Sequence, residues 1–281
     1  MILPRALQQV LDDNTSGSVT LLRRMMTALE NELLDPGLDP ATFISYIEHL
    51  RRRMKMFTVI RHFCDELILS HNISVKNYPA NYLDFIHEYK EFWEQAPQLL
   101  LKNLQDTVNL KGKKVMLHSN SGTIIEVFRL LSGQVAGITV FQSLSAPHEE
   151  GRIQAAELAE MGYPVTLFPD AMAAGVMKDM DYLLLAADQV RRGIVINKTG
   201  SLQMALAAQQ FNVPVLVLTE SRKINRKQQH QSFRDEQHDP EEILEGLIHK
   251  NIKALNYYFE EVPTYLVTRI ITEKNVTGGT D

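Results

Sequence analysis

The chain has 281 residues, 44% of them hydrophobic, which allows one large domain or two smaller ones. Its 29 Lys and Arg are outnumbered by 34 Asp and Glu, for a net charge of -5, so no global attraction to nucleic acid is expected. Cys64 is the only cysteine, which excludes an intrachain disulfide and a zinc site built on several thiolates; neither a metal nor a cofactor is expected. The start shows no basic stretch followed by an uninterrupted apolar core, and no run is long enough to span a bilayer, so a cytoplasmic setting without membrane contact is expected.

The first part of the chain has a helical texture. Segments 18–34, 40–55, 57–70 and 82–105 carry apolar residues at intervals of three and four, with Pro or Asn at the breaks. Residues 1–110 therefore read as a helical N-terminal domain. Cys64 falls within helical spacing and is expected to be a buried structural thiol. The basic run Arg51-Arg52-Arg53-Met54-Lys55 closes an amphipathic helix, where a solvated face favouring the helix dipole is expected over an acidic-partner or RNA patch.

After Gly112 short apolar runs alternate with amphipathic helices. The strand candidates are 114–118, 138–143, 164–168, 182–186 and 214–218, and helices start near Thr123, Glu149, Ala171 and Ser201. Such alternation requires a parallel sheet covered on both faces by right-handed crossovers. The chain is thus read as α/β, a helical N-terminal domain followed by a Rossmann-like, doubly wound parallel-sheet domain over 111–281. No Gly-x-Gly-x-x-Gly and no P-loop sequence follows any strand, so a standard dinucleotide or P-loop site is not expected.

In this architecture the C-terminal strand ends converge on one crevice, where open α/β proteins bind ligands. The residues brought there are His118, Ser119, Asn120, Ser121 and Gly122, then 143–147, Asp170, Asp188 and 219–223. Asp188 ends the apolar run Leu183-Leu184-Leu185-Ala186-Ala187. A carboxylate beside apolar walls has a raised pKa and exchanges protons near neutrality, whereas an Asp that caps a turn or pairs with Arg191 or Arg192 is structural. Asn197 and Lys198 precede the helix opening at Ser201. Helix amides plus an ammonium make a phosphate cradle; a capped helix with a solvated Lys is the alternative. Segment 222–239 is polar and aperiodic, a long loop directly after a strand end, either a lid or a loop without function.

The order of His118-Ser119-Asn120-Ser121-Gly122, the segment 157–167, Asp170-Ala171-Met172-Ala173-Ala174, Ala187-Asp188, Ile196-Asn197-Lys198-Thr199-Gly200 and Thr219-Glu220-Ser221-Arg222-Lys223 resembles one known family. It unites the alpha, beta and delta subunits of translation initiation factor 2B with methylthioribose-1-phosphate isomerase and ribose-1,5-bisphosphate isomerase. Phe259-Glu260-Glu261-Val262-Pro263 and Ile270-Ile271-Thr272-Glu273 resemble its C-terminal signature, and Thr15-Ser16-Gly17-Ser18 its N-terminal loop. The resemblance implies a pocket for a phosphorylated sugar or nucleotide between the domains, a homodimer or higher oligomer through the C-terminal half, and assembly or protein-partner contacts as in the initiation-factor subunits.

In the isomerase branch the resemblance implies a catalytic Cys and Asp, which fall on Ser119 and Asp188. A serine hydroxyl is a far weaker acid than a thiol and needs an adjacent base; His118, its sequence neighbour, points to the opposite face of a strand. Leu144-Ser145-Ala146-Pro147 replaces the family's Glu-Ser-Arg-Pro, losing an Arg clamp for phosphate. Arg152, Lys198 and Lys223 are the remaining phosphate partners, with Ser16 and Gly17 at the N-terminal loop. The expected function is binding of a phosphorylated small molecule by a non-catalytic or divergent member; the alternative is a sugar-phosphate aldose-ketose isomerase.

Overall fold

The computed structural model describes residues 3–13, 18–54, 57–73, 77–225 and 237–279. Two compact units divide the chain, Met1–Gln95 and Ala96–Asp281. The central part of the polar loop, 226–236, lies outside the described residues, as do Ser16 and Gly17.

The first unit is helical: α1 (Arg5–Leu11), α2 (Ser18–Leu33), α3 (Pro40–Arg53), α4 (Thr58–Ile73) and the first part of α5 (Ala80–Thr107). Periodicity explains most of it. Leu21, Leu22, Met25, Leu29 and Leu33 of α2 bury one stripe against Phe43, Ile47 and Leu50 of α3 and Ile60, Phe63 and Leu67 of α4. The α3 start is set by Asp39-Pro40: the Asp39 carboxylate accepts from the amides of Ala41 (2.9 Å) and Thr42 (3.1 Å), and proline at the first helical position lacks a donor that would go unused there. Cys64 is fully buried and burial pushes its thiol up to about 12, so it packs as a small apolar group. Arg51, Arg52 and Arg53 form the exposed last turn of α3, with Arg51 paired to Asp65.

The second unit carries β1 (Lys114–Leu117), α6 (Gly122–Leu131), β2 (Thr139–Ser143), α7 (Gly151–Glu160), β3 (Val165–Phe168), α8 (Ala173–Met177), β4 (Tyr182–Ala186), β5 (Gln189–Arg191), β6 (Ile194–Lys198), α9 (Ser201–Phe211), β7 (Val215–Leu218), β8 (Ile224–Asn225), α10 (Glu241–Leu244), β9 (Phe259–Pro263), β10 (Arg269–Ile271) and β11 (Val276–Gly278). A seven-stranded sheet runs β11-β10-β7-β4-β1-β2-β3, parallel except for the antiparallel β10–β11 edge. Strand alternation divides its core. Val115, Leu117, Leu184, Leu216 and Ile271 pack on one face with α6 and Leu158 of α7. Met116, Leu183, Leu185, Val217 and Ile270 pack on the other with Met177 of α8 and Met204, Ala205 and Ala208 of α9.

A second sheet, β8-β5-β6-β9, hangs beyond the end of β4. Asn197 and Lys198, which precede α9, end β6 and pair with Glu260 and Phe259 of β9. That pairing turns their side chains from solvent into buried positions.

Candidate functional site

β1 delivers His118 into the protein and Ser119 to the rim. His118 is 1% exposed. Its Nε2 lies 2.9 Å from the Thr199 carbonyl, which can only accept, so Nε2 carries the proton and Nδ1 accepts from the Ser143 hydroxyl at 2.6 Å. The Ser145 hydroxyl sits 3.2 Å from the same Nδ1 and accepts the Ser119 amide at 2.7 Å. Gly200 closes over the ring: its φ is +108°, and a Cβ there would lie 2.9 Å from two imidazole atoms. Burial lowers the His118 pKa, with the hydrogen bond to Thr199 opposing it. His118 is therefore a neutral anchor of the strand end.

Ser119 is a non-glycine residue at φ +65°, which aims its side chain away from the strand register. Its hydroxyl donates to Glu150 Oε1 at 3.0 Å, and the Lys198 ammonium donates to the same oxygen at 2.8 Å. The other oxygen, Oε2, is buried without a hydrogen-bond partner among the described residues. Two buried amides hold the loop: Gln142 donates to the Ser119 carbonyl (3.1 Å) and accepts from Gln154 (2.8 Å), whose oxygen receives the Ser121 amide (2.8 Å). Ser121 is the N-cap of α6, accepting from the Ile124 amide, while Asn120 and Gly122 are exposed.

Asp188 sits where β4 passes into β5, its amide bonded to the Ile196 carbonyl at 2.9 Å. Its side chain is exposed, yet it is closely surrounded by protein. Enclosure raises its pKa above the ordinary 3.8, the ammoniums of Lys223 and Lys198 pull it down, and the Glu150 carboxylate pushes it up again. The carboxyl is both accessible to water and closely flanked by charged side chains. The electrostatic partners of Asp188 are thus these lysines, while the Arg191 Nε bonds Gln189.

The expected phosphate partners are already engaged. Lys198 is 5% exposed, bound to Glu150 and 4.8 Å from the ring centre of Tyr258. Lys223 is buried and donates to the Ala187 carbonyl at 3.0 Å. Arg152 is exposed but paired with Glu149 at 2.5 Å. The α9 N-terminus is taken too: Glu260 Oε1 accepts the amides of Gly200 (2.7 Å) and Leu202 (2.8 Å), and the Asn197 amide bonds Ser201 at 2.9 Å. Asp170 acts as a brace, accepting the amides of Ser145 (2.9 Å) and Ala146 (2.8 Å).

Three groups escape a reading of the sequence: Glu150, Glu260 and Tyr258. The Tyr258 hydroxyl contacts Glu242 and His148, and its ring stacks on His238 at 3.5 Å. Each of these pairings joins residues far apart in the chain. The one local signal is Gly151 directly after Glu150. A Cβ on Gly151 would lie 1.9 Å from the Ser143 carbonyl oxygen, so only glycine lets α7 start against the end of β2 and place Glu150 beneath Ser119.

The doubly wound sheet defines an α/β protein, with an exposed acid and a Ser-Glu-Lys chain at the strand ends where open α/β folds take ligands. The chain belongs to the initiation factor 2 subunit family, whose sequence profile matches residues 6–278. It is 32% identical over 199 residues to ribose 1,5-bisphosphate isomerase of Pyrococcus furiosus, covering 69% of this chain and 60% of that protein. It is 31% identical over 180 residues to a putative methylthioribose-1-phosphate isomerase of Methanothermobacter thermautotrophicus, covering 59% and 58%. The matched region thus spans about three-fifths of these relatives. The fold is similar to that of translation initiation factor eIF-2B of Pyrococcus horikoshii, with a TM-score of 0.82 at 21% identity over 98% of both chains. Among the described residues, no helix is long and apolar enough to cross a membrane.

Proposed function

We propose that this chain is a divergent family member that binds a phosphorylated sugar or nucleotide in the crevice around Asp188 and acts through assembly or partner contacts. The observation that carries this reading is an accessible, enclosed carboxyl beside two buried ammoniums, at the strand ends where this fold takes its ligands. The sugar hydroxyls meet Asp188, Ser119 and Asn120. With Lys198 and Lys223 buried and bonded within the chain, the phosphate is left to the exposed Gly122 end of α6 and to Arg152, whose pairing with Glu149 lies at the surface and can be exchanged. Assembly is supported by Leu247, Ile248 and Leu255, large apolar side chains exposed within one short segment.

A thermal-shift panel of ribose 5-phosphate, ribose 1,5-bisphosphate, methylthioribose 1-phosphate and AMP tests the reading. A ligand at a hundred times its Kd contributes about 2.7 kcal/mol, a rise of about 5–10 °C for a domain of this size. A flat response across the panel would refute it. A second reading, aldose-ketose isomerisation of a sugar phosphate in the cytoplasm, is favoured by the same carboxyl, whose pKa enclosure raises in the direction an acid catalyst needs.

A further inference from the structure

We propose that Glu150 activates the Ser119 hydroxyl, and that the pair exchanges a proton with a carbon of the bound sugar phosphate. The inference rests on the binding reading for its ligand and adds a chemistry to it. A hydroxyl is inert in proton transfer unless a base takes its proton as it takes another. Ser119 has such a base, 3.0 Å away.

Four features make this pair a built arrangement. The Ser119 backbone is held at φ +65° by Ser145 and Gln142. Gly151 alone permits the approach of α7 that puts Glu150 there. Lys198, itself 5% exposed, donates to Glu150 Oε1 at 2.8 Å and fixes the carboxyl beneath Ser119. His118 is committed to Ser143 and Thr199, leaving Glu150 as the acceptor for Ser119.

The step balances within the protein and its ligand. The carbon–hydrogen bond breaks and its proton passes to Ser119 Oγ, while the Ser119 proton passes to Glu150 Oε1. The electron pair moves into a double bond with the neighbouring carbon as that carbon's bond to the ring oxygen, or the π bond of its carbonyl, breaks, and the released oxygen takes the proton given by Asp188. Return of the proton to the same carbon gives exchange with solvent; return to its neighbour, as the hydroxyl on the first carbon gives its proton to the Asp188 carboxylate and becomes a carbonyl, gives isomerisation. No oxidant or reductant enters.

Loss of the carbon-bound proton signal of ribose 1,5-bisphosphate or ribose 5-phosphate in D2O, followed by 1H NMR, tests this. Wild type is expected to exchange. E150Q is expected to lower kcat at least 100-fold with KM changed less than threefold. E150D should recover part of the rate, and S119A should match E150Q; the S119A/E150Q double variant should be no slower than either. Circular dichroism checks folding, and S119A carries the test if E150Q does not fold. An E150Q rate within threefold of wild type overturns the proposal, as does a wild type that shows the ligand-induced thermal shift without exchange. A wild type showing neither shift nor exchange refutes the binding reading as well.

Discussion

Gly151→Ala should destabilise the second unit by about 3 kcal/mol, at the upper end of the usual cost of overpacking. The added methyl meets the Ser143 carbonyl oxygen at 1.9 Å and the Leu144 carbonyl oxygen at 2.9 Å. Both are backbone atoms: Leu144 O already accepts the Gly151 amide at 3.0 Å, and Ser143 lies in β2, paired with Phe168 of β3. Relief therefore requires α7 to move off the sheet, drawing Glu150 away from Ser119 and Lys198. Urea denaturation measures the loss, with Gly175→Ala as the comparison. Nothing lies within 4 Å of a Cβ on Gly175, in the interior of α8, so alanine there should be neutral or stabilise by up to about 1 kcal/mol. Equal effects at the two sites would remove the steric argument.

His118 should govern the acid limb of stability. Burial depresses its folded pKa below the ordinary 6.5. Above about pH 6.5 the ring is neutral in folded and unfolded chains, and its bonds to Thr199 and Ser143 contribute in full. As pH falls below 6.5 the unfolded chain takes up a proton that the native ring resists, so stability falls until pH reaches the folded value, by at most about 1.4 kcal/mol per pH unit. Asp188 has the opposite sign: its folded pKa is raised, so protonation relieves the cost of its charge as pH falls toward 3.8. His118→Ala should lose about 2–3 kcal/mol at pH 7, because Ser143 and Thr199 are left without their partner. It should also flatten the decline below pH 6.5, seen as a stability difference from wild type that shrinks as pH falls. A difference constant with pH would mean that His118 titrates alike in both states.

The main sheet was legible because its signals are local. Runs such as Leu183-Leu184-Leu185 bury both faces of a parallel strand, and β1, β2 and β3 each lead into a helix of the second unit. The second sheet was not, because its strands are short and partly polar, and β6 finds its partner β9 about sixty residues later in the chain. The same distance hid the fate of Lys198. Read alone, an Asn-Lys before a helix suggests a free ammonium for phosphate; in the structure Glu150 takes the ammonium and Glu260 the helix amides. The side chains of His118 and Ser119 bond different partners, the imidazole Ser143 and Thr199 and the hydroxyl Glu150. Glu149-Glu150 looks in sequence like a solvated helix start, yet one carboxylate pairs with Arg152 outside and the other supports Ser119 inside. Ser16 and Gly17, expected at the N-terminal loop, lie outside the described residues.

Calorimetric titration of wild type and Asp188→Asn with the ligand giving the largest thermal shift tests the central claim most directly. Asparagine keeps the shape of the side chain but removes its charge and its exchangeable acid proton. Wild type should bind one ligand per chain, and the variant should bind at least tenfold more weakly, a loss of about 1.4 kcal/mol. Equal affinity in the two proteins would place the ligand elsewhere and contradict the assignment of the crevice around Asp188.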